Sequence, residues 1–413
     1  MAFPFTPTRH AGLQRLQNFL PNSGSRYAQN RNSDYGPGNH SNVSMLSGHL
    51  RHRLILESEV IDAVLDRYAP STAEKFIQEV FWRGYFKGWL EQRPTVWKAY
   101  RRDVAALSAD LEGHTDLAHR YHKAIEGETG IDCFDAWTQE LVETGYLHNH
   151  TRMWFASIWI FTLKLPWQLG ADFFYRHLID GDPASNTLSW RWVGGLHTRG
   201  KTYLARPDNI EKYTAGRFAP DGQLASGAPP LEEDELHPKR TLPLAAAEFQ
   251  PEPVALLVTE EDGYSEDLFR DLKPTAGIAL LATQARSPHP IGAQAQNFAV
   301  NALKDAADRA ANYFQCPINS PLEPDDWGAA LEEFATEQGV QTIVTAYAPV
   351  GPVAEKLRAA RCRLAKQGIT LHEVRRVYDD LTWPHASSGF FNLKKKIPDI
   401  LEELQRVSAP RLL

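Results

Sequence analysis

Apolar residues follow different periods in the two halves of the chain. From about residue 60 to residue 178 they recur at three- and four-residue spacing, and long stretches contain almost no Gly or Pro, which predicts helices. Beyond residue 252, short apolar runs such as VALLVTE and VQTIVTAY alternate with helical stretches. That alternation is typical of a parallel sheet wound with helices. We therefore predict a multidomain protein, an all-α domain followed by an α/β domain with a mostly parallel, Rossmann-like sheet.

The segment between the two halves is rich in Pro, Gly and acidic residues and has no sustained period, as is typical of a linker. The first forty residues resemble an irregular arm or loop. These features predict an N-terminal arm at 1–40, a helical domain at 41–217, a linker at 218–252 and an α/β domain at 253–413.

Composition narrows the class of protein. A chain of 413 residues with 43% apolar residues is long enough to bury real cores. Its three scattered cysteines are too few for a disulfide framework or a four-thiolate cluster. No run of about eighteen apolar residues and no secretory leader is present, so we expect a cytoplasmic protein. The net charge of −7 does not exclude DNA, because a local basic patch can dominate contact with phosphates.

A predicted helix, EKFIQEVFWRGYFKGW, carries polar residues on an otherwise apolar surface. Glu79, Trp82, Arg83 and Phe86 share one face by their spacing. A Glu and an Arg inside such a helix are costly unless they are paired or bind something polar. Two interpretations stay open at this point, a ligand site and a buried Glu–Arg pair that braces a core.

Two later segments also concentrate polar residues. In TGYLHNHTRMWFAS, Asn149 and Arg152 lie three residues apart and share a helix face. In FYRHLIDGDPASNTLSWRWVGG, two carboxylates and two Trp lie within thirteen residues. On its own, Asp180-Gly181-Asp182 suits either a turn with a helix cap or a metal site.

Taken together, the three segments resemble the FAD-binding domain of DNA photolyases and cryptochromes. The matching stretches are the Glu-x-x-Trp-Arg helix at 79–83, the TGYLHNHTRM run at 144–153 and LIDGDPASNTLSWRW at 178–192. The resemblance spans about residues 27–215, and it implies FAD as cofactor. It also makes the first half an all-α, photolyase-like FAD-binding domain.

The resemblance assigns side chains to the FAD site. It implies that Arg152 pairs with Asp180 beside the flavin ring, where a cation favours the anionic reduced flavin. Asn186 matches the residue that faces flavin N5, and an amide there is typical of photolyases. The FAD-binding residues that it implies are Tyr27, Ser44, Leu46, Ser47, Glu79, Arg83, Asn149, Arg152, Asp180, Asp182 and Asn186.

A lesion pocket is implied in the same way. Glu79, Trp82, Met153 and Trp192 match the residues that hold a pyrimidine dimer flipped out of UV-damaged DNA. The family's (6-4) photolyases typically carry a His-His run where this chain has His148-Asn149, so we expect a cyclobutane dimer as substrate.

The family reduces its flavin along a chain of Trp residues. Trp190 matches the residue nearest the flavin and Trp167 the middle one, so the catalytic set that we predict is Glu79, Asn186, Trp190 and Trp167. The outer position falls near His114, where no Trp is present. Three aromatic side chains are open as the exit, namely Tyr121, Trp154 and Trp159.

The chain departs from the family pattern in its order. The α/β half follows the FAD domain, which suggests an antenna domain permuted to the C-terminus, although an unrelated α/β domain is an open alternative. No Gly-rich phosphate loop occurs in it, so the antenna chromophore is unknown. His150 stands where relatives often have an Arg that contacts DNA.

Several basic residues are candidates for a DNA-binding rim or for ordinary solvated surface. They are Arg191, Arg199, Lys201, Arg206 and the run 394–396.

From these features we expect light-driven repair of cyclobutane pyrimidine dimers in DNA by a deoxyribodipyrimidine photolyase. The alternative is a cryptochrome-like blue-light photoreceptor that photoreduces FAD, repairs nothing and has a signalling partner. We expect neither a metal nor a membrane to take part.

Overall fold

The computed structural model describes residues 5–113, 115–243 and 253–408. The first half of the chain folds into helices around one hydrophobic core, as the spacing of apolar residues predicts. In chain order they are α1 Arg9–Phe19, α2 Ser25–Asn30, α3 Ser47–Arg51, α4 Glu57–Leu65, α5 Pro70–Glu91, α6 Pro94–Gly113, α7 Thr115–Glu126, α8 Asp132–Thr144, α9 Asn149–Ser157, α10 Trp167–His177, α11 Pro183–Val193 and α12 Pro207–Tyr213. Within the described ranges, no helix combines the length and the apolar character that a bilayer span requires.

A four-stranded parallel sheet forms the centre of the second half. Its strands are β1 Val254–Thr259, β2 Ala276–Leu280, β3 Thr342–Ala346 and β4 Thr370–Val374, in the order β2-β1-β3-β4. The intervening helices are α13 Ser265–Leu268, α14 Ala293–Phe314, α15 Trp327–Gln338 and α16 Pro352–Lys366. Leu331 of α15 and Leu357 of α16 pack on one face of the sheet and Leu303 of α14 on the other, so the predicted α/β organisation is confirmed.

The predicted irregular arm at 1–40 is wrong, because α1 and α2 lie within it. The Thr8 side chain caps α1 by accepting a hydrogen bond from the backbone N–H of Ala11. Leu16 and Phe19 then bury their side chains in the helical core. The helix escapes sequence analysis because its exposed face is polar and its apolar stripe is short.

The predicted domain at 253–413 is also wrong at its C-terminal end. After β4 the chain forms α17 Val377–Thr382, α18 Phe390–Lys394 and α19 Ile397–Ser408. Tyr378, Phe390 and Leu404 are buried in the core of the N-terminal helices and not against the sheet. We call helices α1–α12 with α17–α19 the helical body, and the sheet with α13–α16 the sheet module.

The predicted linker lies partly outside the described residues, at 244–252. Its described part, 218–243, has no helix or strand but follows the helical body closely. The N–H of Leu231 donates to the carbonyl of Gly194, and Arg240 donates to the carbonyl oxygens of Glu91 and Gln92. This segment is therefore a strap laid along the helical body.

Candidate flavin-binding site

Helix α5 presents the first predicted site residues. It begins with Pro70 at a position where the missing N–H is not needed. Glu79 forms an ion pair with Arg31, which follows α2, so the structure does not contain the Glu79–Arg83 pair that the sequence left open. Arg83, one turn further on, lies near the loop before α11.

That loop, Asp180-Gly181-Asp182, holds two buried carboxylates. Asp182 is the N-cap of α11, where its side chain accepts from the N–H of Ser185 at 2.7 Å. A side chain at Gly181 would place its Cβ 2.7 Å from the carbonyl oxygen of Tyr175. The loop therefore requires glycine at its centre, and of the two roles that the sequence left open, Asp182 has that of helix cap.

Cations surround both carboxylates. Arg152 of α9 lies with Nη1 3.0 Å from Oδ2 of Asp180, as the resemblance implies. Burial alone would raise the pKa of Asp180, but Arg152 and Arg83 hold it below its ordinary value. Burial opposes the ionisation of Asp182 too, yet Lys87 and the nearby arginines lower its pKa to about 2. Both carboxylates are charged at neutral pH.

The loop before α3 and the start of that helix hold three of the predicted FAD-binding residues, Ser44, Leu46 and Ser47. Met45 has a left-handed backbone with φ of 52°, which turns the chain into α3. Leu46 is buried and Ser44 is half-buried. The hydroxyl of Ser47, at the start of α3, is buried beside Asp180 and helps to lower the pKa of that carboxyl, but it makes no hydrogen bond of standard geometry among the described residues.

Four buried polar atoms here lack partners within the described residues. They are Oγ of Ser47, Nη1 of Arg83, Nζ of Lys87 and Oδ1 of Asp180. Buried polar groups are nearly always hydrogen bonded, and leaving one open costs about 1–3 kcal/mol. A hydroxyl, two cations and a carboxylate suit a ligand that has both anionic and hydrogen-bonding groups, so the four open atoms fit FAD.

Asn186 has a fixed orientation. Its Nδ2 donates to the carbonyl oxygen of Ala171 at 2.8 Å, which leaves Oδ1 as the free end of the amide. Asn149, in contrast, is exposed at the start of α9, and Tyr27 is half-buried against Phe76, with ring centroids 5.0 Å apart. Contacts within the protein thus fix the side chain of Asn186, whereas the side chain of Asn149 is exposed to solvent.

Residues 76–224 match the family model described as the FAD binding domain of DNA photolyase. This part of the chain is an FAD-binding domain of the photolyase/cryptochrome type. Its cofactor is accordingly FAD, for which the open polar atoms around the Asp180–Asp182 loop provide partners.

Curated photolyases are similar in sequence to this chain over about half of its length. The deoxyribodipyrimidine photo-lyase of Neurospora crassa is 28% identical over 220 residues, which cover 52% of this chain and 34% of the relative. That of Streptomyces griseus is 31% identical over 181 residues, which cover 41% of this chain and 38% of the relative. The chain thus spans less than half the length of either relative.

Among solved structures, a bacterial class III photolyase from Agrobacterium tumefaciens is 26% identical, with a TM-score of 0.43. The match covers 51% of this chain and 44% of that one.

Two of the residues predicted for the lesion pocket stack on other aromatic rings in this structure. Trp82 stacks on Phe390 of α18, with ring centroids 3.9 Å apart and planes within 10°. Trp192 is 36% exposed and stacks on Tyr203 at 5.7 Å. Met153 is half-buried on α9. Sequence analysis missed Phe390 and Tyr203, and for Phe390 the only signal was the FF pair before the lysine run.

The two Trp residues predicted to carry electrons pack in different surroundings. Trp190 meets Trp159 edge to face at a centroid distance of 6.2 Å, and Trp159 meets Tyr121 at 6.1 Å. Trp167 stacks on Tyr100 at 5.8 Å. The outer position near His114 lies outside the described residues.

Only some of the basic residues considered for a DNA-binding rim are exposed without an ion pair in the structure. Arg191 is buried and forms a bidentate ion pair with Glu233 of the strap, so it has neither of the two roles left open, a DNA-binding rim or solvated surface. Arg199 and Lys201 are exposed, whereas Arg206 pairs with Asp208 at the surface. In the lysine run, Lys394 pairs with Glu74 and Lys396 with Asp399, whereas Lys395 is exposed.

Proposed function

We propose that this protein is a light-driven photolyase that opens cyclobutane pyrimidine dimers in UV-damaged DNA. The observation that carries the proposal is the arrangement of α5. Glu79 and Trp82 supply a hydrogen-bonding carboxylate and an aromatic wall. Arg83, next along the helix, lies near the Asp180-Gly181-Asp182 loop, which we call the flavin loop. A single rigid helix thereby joins the dimer-binding residues to the cofactor site.

The chain's residues contribute positioning and charge. When bound, reduced FAD supplies the electron that opens the dimer and takes it back afterwards, so the cofactor carries the chemistry. Arg152, paired with Asp180, provides positive charge at the flavin site, and Asn186 offers its fixed amide. Trp82, which stacks on Phe390 and is flanked by Tyr85 and Phe86, provides a flat surface for an extruded base.

The alternative is a cryptochrome-like photoreceptor. Arg191 favours it, because its ion pair with Glu233 removes one cation from the rim that would contact DNA. A photoreceptor needs flavin photoreduction but no basic rim.

We also propose that the sheet module corresponds to the antenna domain of photolyases, placed here after the FAD-binding domain. Its parallel four-stranded sheet supports this assignment.

Repair of a dimer-containing oligonucleotide by the photoreduced protein under blue light tests the proposal, with a dark control. We expect light-dependent loss of the dimer. Trp82→Ala and Glu79→Ala should lower repair at least tenfold while FAD absorbance is kept, because a base stacked on an aromatic ring contributes about 1–3 kcal/mol. Tyr313→Ala, an exposed aromatic on α14, serves as control and should repair normally.

Intact photoreduction without repair of single- or double-stranded substrates would overturn the proposal and favour the photoreceptor. Full repair by both α5 variants would instead remove Glu79 and Trp82 from the lesion pocket.

A further inference from the structure

Glu261 is a carboxylate of the sheet module that points into the helical body. It follows β1, outside the residues that match the FAD-binding family model. Both of its oxygens accept hydrogen bonds from Arg51 of α3, at 2.8 Å from Nη1 and 2.7 Å from Nη2. Only 3% of the Glu261 side chain and 1% of the Arg51 side chain are exposed. A bidentate pair of this kind fixes the plane of the guanidinium.

The third guanidinium nitrogen of Arg51, Nε, contacts the flavin loop. Nε of Arg51 donates to the carbonyl oxygen of Gly181 at 2.7 Å. Gly181 lies between Asp180 and Asp182, the two carboxylates that the cations of the flavin site surround. One guanidinium therefore joins the sheet module to the centre of the flavin loop.

This connection depends on the charge of Glu261. Burial would lower the pKa of Arg51, and Glu261 is the strongest of the carboxylates that raise it, followed by Asp182 and Glu260. Without the Glu261 charge, those two carboxylates become the nearest counterions for a buried cation. Because Asp182 caps α11 within the flavin loop, a shift of Arg51 towards it would release Gly181 and disturb the loop.

We infer that Glu261 is a positioning residue for the FAD site. Through Arg51 it holds the Asp180-Gly181-Asp182 loop, so the sheet module sets the affinity and reduction potential of the flavin. The inference rests on the FAD site and not on the proposed repair reaction, so it can be tested on a protein that repairs nothing.

The test compares two substitutions in the full-length protein. Glu261→Gln keeps the side-chain shape and removes the charge, and we expect FAD affinity to fall about tenfold. The flavin midpoint potential should become more positive, because a negative charge near the site is lost. FAD affinity is measured by flavin fluorescence on titration, and the potential by anaerobic dye equilibration.

Asp262→Asn is the matched control. Asp262 is the next residue along the chain, and its carboxylate binds Arg376 of the 375–376 loop through both oxygens at 2.6 and 2.7 Å, with Arg53 3.6 Å away. We expect this variant to lose thermal stability but to keep native FAD affinity and potential.

Native FAD affinity in Glu261→Gln, or equal changes in both variants, would overturn the inference. Equal changes would mean that the interface matters only for stability. If Glu261→Gln does not fold, Glu261→Asp retains the charge with a shorter reach and should bind FAD with intermediate affinity. Native affinity and potential in that variant would overturn the inference as well.

Discussion

The buried carboxylates along the boundary of the helical body and the sheet module differ from those of the flavin site in how completely they are hydrogen bonded. Some of their ion pairs join the modules, as Arg51–Glu261 does, and others, such as Arg53–Asp379, lie within one module. Both oxygens of each carboxylate accept hydrogen bonds from protein groups, and the atoms left open among the described residues are nitrogens of Arg53, Arg286 and His52. We call this group the interface cluster; its carboxylates are Glu260, Glu261, Asp262 and Asp379, and its cations are Arg51, Arg53, Arg286 and Arg376. In the flavin site, Ser47, Arg83, Lys87 and Asp180 each keep an open polar atom.

The difference separates a structural role from a binding role. A closed pair satisfies its desolvation cost within the fold, so it can join two modules without any ligand. Open polar atoms cost free energy until a ligand supplies their partners. The carboxylates of the interface cluster are therefore satisfied when the chain folds, whereas the flavin site keeps an open oxygen on Asp180 that FAD can pair.

The largest effects should come from removing one arginine from each group. Arg53→Met breaks the pair with Asp379, whose oxygens both lie within 2.8 Å of Nη2, and leaves buried carboxylates without their counterion. We expect it to lower the free energy of unfolding by about 3–5 kcal/mol. Arg83→Met removes a cation with an open donor, so FAD affinity should fall about a hundredfold, and apoprotein stability should fall less than in Arg53→Met because Arg152 and Lys87 still balance the carboxylates. Urea unfolding of the apoprotein and FAD titration measure the two effects.

The two variants should differ in which property they lose, stability in Arg53→Met and FAD affinity in Arg83→Met. Folded Arg53→Met should bind FAD with native affinity, and excess FAD should stabilise it as it stabilises the native protein. The comparison fails if Arg83→Met destabilises the apoprotein as much as Arg53→Met does. It fails equally if Arg83→Met keeps native FAD affinity.

Sequence analysis predicted the parts of the flavin site that are local in the chain. The helix spacing placed Asn149 and Arg152 on one helix, as the structure shows, whereas the pair between Arg152 and Asp180 was implied by the family resemblance and is not a local prediction. The four parallel strands were predicted because each is a short apolar run between helices. In these cases the pattern that identifies the element lies within about ten residues.

The contacts that were missed join distant parts of the chain. Glu261 lies 210 residues from Arg51, and nothing near either residue indicates its partner. Phe390 resembles an ordinary apolar residue until it stacks on Trp82. Predicting a closed C-terminal domain was reasonable from periodicity, but the apolar faces of α17–α19 fit the helical core and not the sheet.

Lowering the pH should reduce the free energy of unfolding through the interface cluster, by less than Arg53→Met does. His52 is buried there, with Nδ1 donating to the carbonyl oxygen of Glu260. Burial, followed by the charges of Arg51 and Arg286, lowers its pKa to about 3. The unfolded chain takes up this proton near pH 6.5, so the contribution of His52 to stability is complete above that pH and declines as the pH falls towards 3. We expect a loss on the order of 3 kcal/mol between pH 6.5 and 4.

His52→Gln keeps a donor for the Glu260 carbonyl and removes the titration. Its free energy of unfolding should therefore depend less on pH than that of the native protein between pH 6.5 and 4, as measured by urea unfolding. Exposed His119 provides the control, and His119→Gln should leave the pH dependence unchanged. An identical pH dependence in His52→Gln would show that His52 does not report on the cluster.

The smallest effect on the fold, and a direct one on the flavin site, should come from Trp159→Phe. Trp159 bridges Trp190 and Tyr121 by edge-to-face contacts of 6.2 and 6.1 Å. Phe loses the hydrogen bond from Nε1 to the carbonyl oxygen of Pro166 and part of the buried ring, so stability should fall by about 1–2 kcal/mol while FAD affinity stays native. Phe is much harder to oxidise than Trp, so we expect the radical formed on flavin photoreduction to decay several times faster in flash photolysis.

Trp154→Phe is the control, because Trp154 stacks instead on His150 and Trp137. A native lifetime in Trp159→Phe, with a shortened one in Trp154→Phe, would move the exit to Trp154.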